Sequence, residues 1–143
     1  MTAVDTNILV YAHREDSEWH GRAAEVIASL AESPQEWAIP WPCLHEFLAI
    51  VTHPRIFRTP TPRDLAVAQL DAWLESPTLV VLAENDQYFD CFRDVVLSSR
   101  VTGARVHDAR VAALCLSHGI RQLWSADRDF SLFPSLELRN PLI

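Results

Sequence analysis

The chain has 143 residues, 49% of them apolar and 22% charged, enough for one compact core and too few for two. No apolar run approaches the roughly 20 residues of a membrane span, and Met1-Thr2-Ala3-Val4-Asp5 offers neither a basic n-region nor a long apolar stretch. A soluble, cytoplasmic protein of one domain over residues 1–143 is expected, and its net charge of −7 excludes attraction of nucleic acid by overall charge, leaving only local patches for that role.

A short apolar strand over residues 2–5 runs into Asp5 and at once into an amphipathic helix near 7–13, which places Asp5 at a strand's carboxyl end. A helix over 17–32, a strand at Trp37-Ala38-Ile39-Pro40 and a helix over about 42–52 follow. Beyond the Pro-rich stretch, Thr61 is placed to cap, and Pro62 to occupy the first turn of, a helix running to about 75. Thr78-Leu79-Val80-Val81-Leu82 reads as a buried strand. Helices over about 86–99 and 107–118 come next, the second closed by His118-Gly119. A strand at 122–124 and a further one at Leu136-Glu137-Leu138 complete the series. This alternation predicts an α/β fold, a mostly parallel central sheet of four to five strands with helices on both faces. No repeat, low-complexity tract or linker interrupts it.

Cys43, Cys91 and Cys115 are odd in number, widely spaced and within predicted helices, as expected of buried free thiols in a reducing compartment. All twelve basic residues are Arg. Arg forks suit phosphate oxygens, though a codon bias gives the same count. The acid-poor stretches 53–63 and 100–107 are the places where positive potential can gather.

Four acids fall at one sheet edge if the alternation holds. Asp5 and Asp127 stand at strand ends, whereas Glu46 and Asp108 stand in or near the first turns of helices. Singly, Glu46 and Asp108 read equally well as ordinary acids near a helix's positive end. Together they conflict. At an effective dielectric of about 20, two carboxylates roughly 4 Å apart oppose each other by about 4 kcal/mol, so such a site takes up protons or binds a cation. Oxygen-only ligands favour Mg²⁺ or Mn²⁺ over Zn²⁺, and phosphodiester hydrolysis is the chemistry such a centre suits.

The segments Val4-Asp5-Thr6-Asn7-Ile8-Leu9-Val10-Tyr11, the apolar helix bearing Glu46, His107-Asp108-Ala109-Arg110-Val111-Ala112-Ala113-Leu114 and Ser125-Ala126-Asp127-Arg128-Asp129-Phe130 occur in an order that resembles the PIN-domain ribonucleases, and within them the VapC-type toxins of toxin-antitoxin pairs. The resemblance implies a PIN-like three-layer α/β/α sandwich and a metal-dependent endoribonuclease that blocks translation, leaving a 5′-phosphate and a free 3′-hydroxyl. It implies catalytic roles for Asp5, Glu46, Asp108 and Asp127, with Mg²⁺ or Mn²⁺ held chiefly by Asp5, Asp108 and Asp127. Thr6 and Ser125 would orient waters or carboxylates, with Asp129 a lesser contributor; Ser125 stands where many members carry Thr. An RNA substrate, a cognate VapB-type antitoxin and a homodimer are the implied partners, with no membrane.

Several neighbours keep two readings. Asn7 fits a helix-start hydrogen bond and a site role alike, and Arg110 fits a phosphate contact or an ion pair. His45 and His107 are expected to pack or cap. Of five tryptophans, most belong to the core or an interface, and Trp41, between two prolines at a strand end, is the candidate RNA contact. Two rival functions remain: an α/β phosphatase with Asp5 as nucleophile, and an RNA-binding module without turnover. Against the first, Asn7 stands where such phosphatases carry a second acid.

Overall fold

The computed structural model describes all residues, 1–143. Five short strands, β1 (Thr2–Val4), β2 (Trp37–Pro40), β3 (Leu79–Leu82), β4 (Gln122–Trp124) and β5 (Glu137–Arg139), form one sheet in the order β3-β2-β1-β4-β5. Every neighbouring pair is parallel. The chain builds outward from β1 to β3 and then returns to lay β4 on the other side of β1. Right-handed crossovers put the helices of the outward and return passages on opposite faces. Accordingly α1 (Thr6–His13), α2 (His20–Glu32), α3 (Trp41–Val51) and α4 (Arg63–Leu74) pack among themselves, while α5 (Tyr88–Ser99) and α6 (Val106–Ser117) pack as a separate pair. The expected parallel sheet of four to five strands is thus a wholly parallel sheet of five.

The central strands are buried because both faces are covered. Ala3, Val4, Ala38, Ile39 and Leu123 are fully inaccessible, which is why these strands read as apolar runs without alternation. Phe47 of α3 lies edge-on to Trp73 of α4, with ring centroids 4.8 Å apart, and to His13 of α1 at 5.2 Å, so one side chain joins three helices. No helix is long and apolar enough to cross a membrane.

Three helix starts differ from expectation, two because a side chain takes a backbone group and one because the expected cap is engaged elsewhere. Ser17 Oγ accepts the Trp19 N–H at 3.1 Å, holding residues 17–19 in a turn, so α2 begins at His20 and not at 17. Asn85 Oδ1 accepts the Gln87 N–H at 3.1 Å and delays α5 to Tyr88. Thr61 does not cap α4: its hydroxyl is occupied by His13 Nε2 at 3.1 Å and Arg14 Nη1 at 3.2 Å, and Pro62 takes the capping position. Two short 3₁₀ turns, Gly103–Arg105 and Arg128–Leu132, were not apparent from periodicity. At the end of α6, Gly119 adopts φ +74° and lets the Ile120 N–H reach the Cys115 carbonyl at 2.9 Å, as its sequence predicts.

Phe47 is wholly inaccessible. Phe47→Ala is therefore expected to lower the unfolding free energy by about 3–5 kcal/mol in urea denaturation, and a loss below about 1 kcal/mol would mean that the three helices do not depend on it.

Candidate active site

The strand order reverses between β1 and β4, and ligands of open parallel sheets gather outside the carboxyl ends of the strands at such a point. Val4 pairs with Trp124, so the next residues of the two strands, Asp5 and Ser125, leave the sheet side by side. The Asp5 N–H still donates to the Trp124 carbonyl at 3.0 Å, and the Ser125 N–H to the Arg139 carbonyl at 2.9 Å, which fixes both residues to the sheet.

Asp5 is 7% exposed and caps nothing with its side chain. Its Oδ2 accepts from Ser125 Oγ at 2.7 Å and from Asn7 Nδ2 at 3.3 Å, and its Oδ1 accepts from Cys43 Sγ at 3.6 Å. Asn7 also donates to Ser125 Oγ at 3.1 Å and accepts the Ala126 N–H on Oδ1 at 3.1 Å. Ser125 Oγ in turn accepts the Asp127 N–H at 2.9 Å. The first turn of α1 and the segment after β4 are thereby laced together, with the Asn7 amide between Asp5 and Ser125. Burial pushes the Asp5 carboxyl up, with the Ser125 and Cys43 hydrogen bonds opposing and the charge of Asp127 adding to the rise. Burial, and then the negative charge of Asp5, keep the Cys43 thiol protonated and therefore a donor.

The other acids close the cluster. Asp127 Oδ1 accepts the Asp129 N–H at 2.9 Å, opening the second 3₁₀ turn and turning Asp129 back toward it. Asp108 enters from the first turn of α6. Asp108, Asp127 and Asp129, all half-buried, each bring a carboxylate oxygen within 4.8 Å of the other two. Asp5 lies close enough to raise Asp108 but is outside this group of three, which Asp129 joins. Glu46, exposed on α3, faces the cluster from across it: partial desolvation, then Asp5 and Asp108, raise its carboxyl, and His107 opposes. Between Glu46 and Cys43 lies Thr6, 3% exposed, whose Oγ1 has no hydrogen-bond partner.

These residues suit a hard divalent cation. The donors are all oxygens, and oxygens of the three carboxylates lie within 4.8 Å of one another. The only cation paired with the cluster is Arg105, whose Nη1 lies 3.1 Å from Asp129 Oδ1 on the exposed side. Arg105 sits in the acid-poor stretch noted in the sequence, but its pairing depends on a 3₁₀ turn that periodicity does not reveal. Cys43 was read only as an inert buried thiol, and nothing in the sequence relates it to a residue 38 positions away.

A second surface flanks the acids. His45, Glu46, His107 and Arg110 line a cleft of about 290 Å³. Both His45 and His107 are exposed; His45 packs with its ring stacked on Trp41, as expected, whereas His107 lines this opening. Arg110 is half-buried and enters none of the protein's ion pairs.

Burial, then Asp127, Asp5 and Asp129, raise the Asp108 carboxyl from 3.8 to about 6, with Arg105 opposing. The folded protein holds this proton more tightly than the unfolded chain, so Asp108 lowers stability as pH rises from about 3.8 through about 6, and the loss is complete above that range. In EDTA, Asp108→Asn is expected to be more stable than the parent at neutral pH by on the order of 1 kcal/mol after solvent screening, with the difference vanishing below about pH 4. Urea denaturation at both pH values checks this, and a variant less stable at neutral pH would contradict it.

The PIN domain pattern matches residues 2–135. Ribonuclease VapC43 of Mycobacterium tuberculosis is 34% identical over 142 residues, covering 99% of this chain and 96% of its own. Among solved structures, VapC20 of the same organism, described as a Sarcin-Ricin loop cleaving toxin, superposes with a TM-score of 0.69 at 23% identity over 98% of this chain and 100% of that one. VapBC2 from Rickettsia felis, solved bound to a DNA fragment from its promoter, superposes at 0.70 with 18% identity over 97% of both. With the acids gathered at the switch point of a sheet that these structures share, and the match running from β1 to the second 3₁₀ turn, the chain belongs to the PIN domain family, among its VapC ribonucleases.

Proposed function

We propose that this protein is a metal-dependent endoribonuclease, the toxin of a VapBC-type pair, which hydrolyses RNA phosphodiester bonds and so blocks translation. The observation that carries the reading is the convergence of Asp108, Asp127 and Asp129 within 4.8 Å, with Asp5 beneath them, in a family of named ribonucleases. We take Mg²⁺ or Mn²⁺ as the ion, with Asp5, Asp108 and Asp127 as its principal holders and Asp129 joining them. When bound, such an ion offsets the converging negative charge, makes a water more acidic and neutralises part of the phosphate's charge.

This chain's own residues supply the rest. Asp5 is held in one orientation by Ser125, Asn7 and Cys43, so it does not have to reorganise as charge develops. Glu46 is open to solvent with a raised carboxyl pKa, which suits it to take the proton of the attacking water. The oxygen of that water forms the new bond to phosphorus, the bond from phosphorus to the 3′ oxygen breaks, and the departing oxygen gains a proton, leaving a 5′-phosphate and a 3′-hydroxyl. Thr6, whose buried hydroxyl acts on the Glu46 carboxyl, would orient a water or that carboxylate. The exposed Arg100, Arg105 and Arg128 line one cavity beside Asp129, and Arg110 lies on the opposite side beside Glu46. These two lips give an acidic protein a local attraction for an acidic polymer.

The same contacts argue against a covalent phosphatase. A nucleophilic Asp5 would need one oxygen free to reach phosphorus, yet both oxygens accept protein hydrogen bonds in a site that is 7% exposed. A cytoplasmic location, a cognate VapB-type antitoxin and a homodimer belong to the same proposal, and sedimentation at micromolar concentration tests the last of these.

With purified protein and a mixed RNA pool, cutting is expected in Mg²⁺ or Mn²⁺ and not in EDTA. Asp5→Asn, Asp108→Asn and Asp127→Asn should each lower the rate at least about 100-fold, whereas the remote Asp90→Asn should leave it unchanged. Undiminished cutting by Asp127→Asn, or cutting that persists in EDTA, would refute the assignment; RNA retained without cutting would favour the binding-module reading.

A further inference from the structure

The cleft beside Glu46 adjoins a second cavity of about 330 Å³, and the two share Pro42 and Arg110. Its floor is apolar, from Pro42, Leu82 and Leu114, and one wall is the indole of Trp41. Trp41 is the first residue of α3, between Pro40 and Pro42, and is 39% exposed. Behind it lies His45, whose ring is stacked on the indole at 6.0 Å and 27°, so the wall is a backed flat surface. Arg110 stands at the junction of the two cavities, half-buried and without an ion pair. A half-buried guanidinium with no carboxylate in ion-pair contact keeps its donors available to an anion from outside. At the other side of the cavity stands the carboxylate of Glu84.

We propose that this second cavity is a nucleobase subsite: an unpaired base of the RNA stacks on Trp41 while Arg110 holds the phosphate that joins its nucleotide to the one being cut. The proposal rests on the ribonuclease reading and adds to it the requirement for a single-stranded segment at the cut. The charges set the direction of the chain. Glu84 repels a phosphate from the Trp41 cavity but not a neutral base, and Arg110, between that cavity and Glu46, draws the phosphate to the junction. An apolar floor and a flat aromatic wall accept the base's face, as aromatic platforms for unpaired bases do. A paired base has no such face to offer, because its neighbours in the helix cover it.

Binding is measured by fluorescence anisotropy of an end-labelled unstructured RNA hexamer in Ca²⁺, for the parent, Trp41→Ala, Trp41→Phe and Arg110→Ala, and again with hexamers carrying one abasic ribonucleotide at each position in turn. Trp41→Ala is expected to weaken binding of the intact hexamer about 10- to 100-fold, and Trp41→Phe to restore most of it. Abasic substitution at one position should weaken the parent by a similar factor, and Trp41→Ala should then add little, because both changes remove the same stack. Arg110→Ala should weaken intact and abasic RNA alike. Equal binding by Trp41→Ala and the parent, or a Trp41→Ala loss as large on every abasic hexamer, overturns the subsite; the first result would point to a protein segment as what covers Trp41. The ribonuclease reading fails separately, by absence of cutting in Mg²⁺ and Mn²⁺, and anisotropy reads the subsite whatever that outcome.

Discussion

Ser125 Oγ is the point on which the site depends. It donates to Asp5 at 2.7 Å and accepts hydrogen bonds from the Asn7 amide at 3.1 Å and the Asp127 N–H at 2.9 Å. One hydroxyl thus joins the ends of two neighbouring parallel strands to the start of α1, and it does so on the side where carboxylates would otherwise drive the segments apart. Without such a tie, the segment after β4 has little reason to turn Asp127 and Asp129 back toward Asp108. The pairing of Val4 with Trp124 sets Ser125 beside Asp5 in the first place, so the sheet register and the chemistry are one constraint.

The cost of the arrangement is visible in the protonation of its members. Burial raises Asp5, and burial together with three negative neighbours raises Asp108 to about 6. Such groups lower the stability of the metal-free fold at neutral pH, in keeping with the tendency of functional sites to hold unfavourable charge that the surrounding packing offsets. The packing here is the apolar sheet and the joint of Phe47 with Trp73 and His13. Arg105 partly compensates from the exposed side, where its pair with Asp129 is about half open to solvent and correspondingly weak.

Much of this was legible in the sequence. Uninterrupted apolar strands alternating with helical patterns gave a parallel α/β sheet, and an acid directly after such a strand marked Asp5 as a residue at the site edge. The order β3-β2-β1-β4-β5 was not legible, because periodicity says nothing about which strands adjoin. Helix starts at His20 and Tyr88 were missed where Ser17 and Asn85 compete for backbone groups, and Thr61 was given to a cap when His13 and Arg14 hold it instead. The closeness of Asp129 to Asp108 was not legible for a local reason: the 3₁₀ turn begun by Asp127 brings it round. Cys43 and Arg105 reach the acids through space, over separations for which no spacing rule exists, whereas Trp41 between its two prolines could be singled out because its surroundings in the chain are themselves unusual.

The most direct test of the account is the affinity of metal-free protein for Mn²⁺, titrated at neutral pH for the parent, Ser125→Ala and Ser125→Thr. If the hydroxyl holds the carboxylates in place, Ser125→Thr should bind nearly as the parent does and Ser125→Ala about 10- to 100-fold more weakly, the usual effect of removing a group that orients metal ligands. Parental affinity in Ser125→Ala, or no saturable Mn²⁺ binding by the parent, would contradict it.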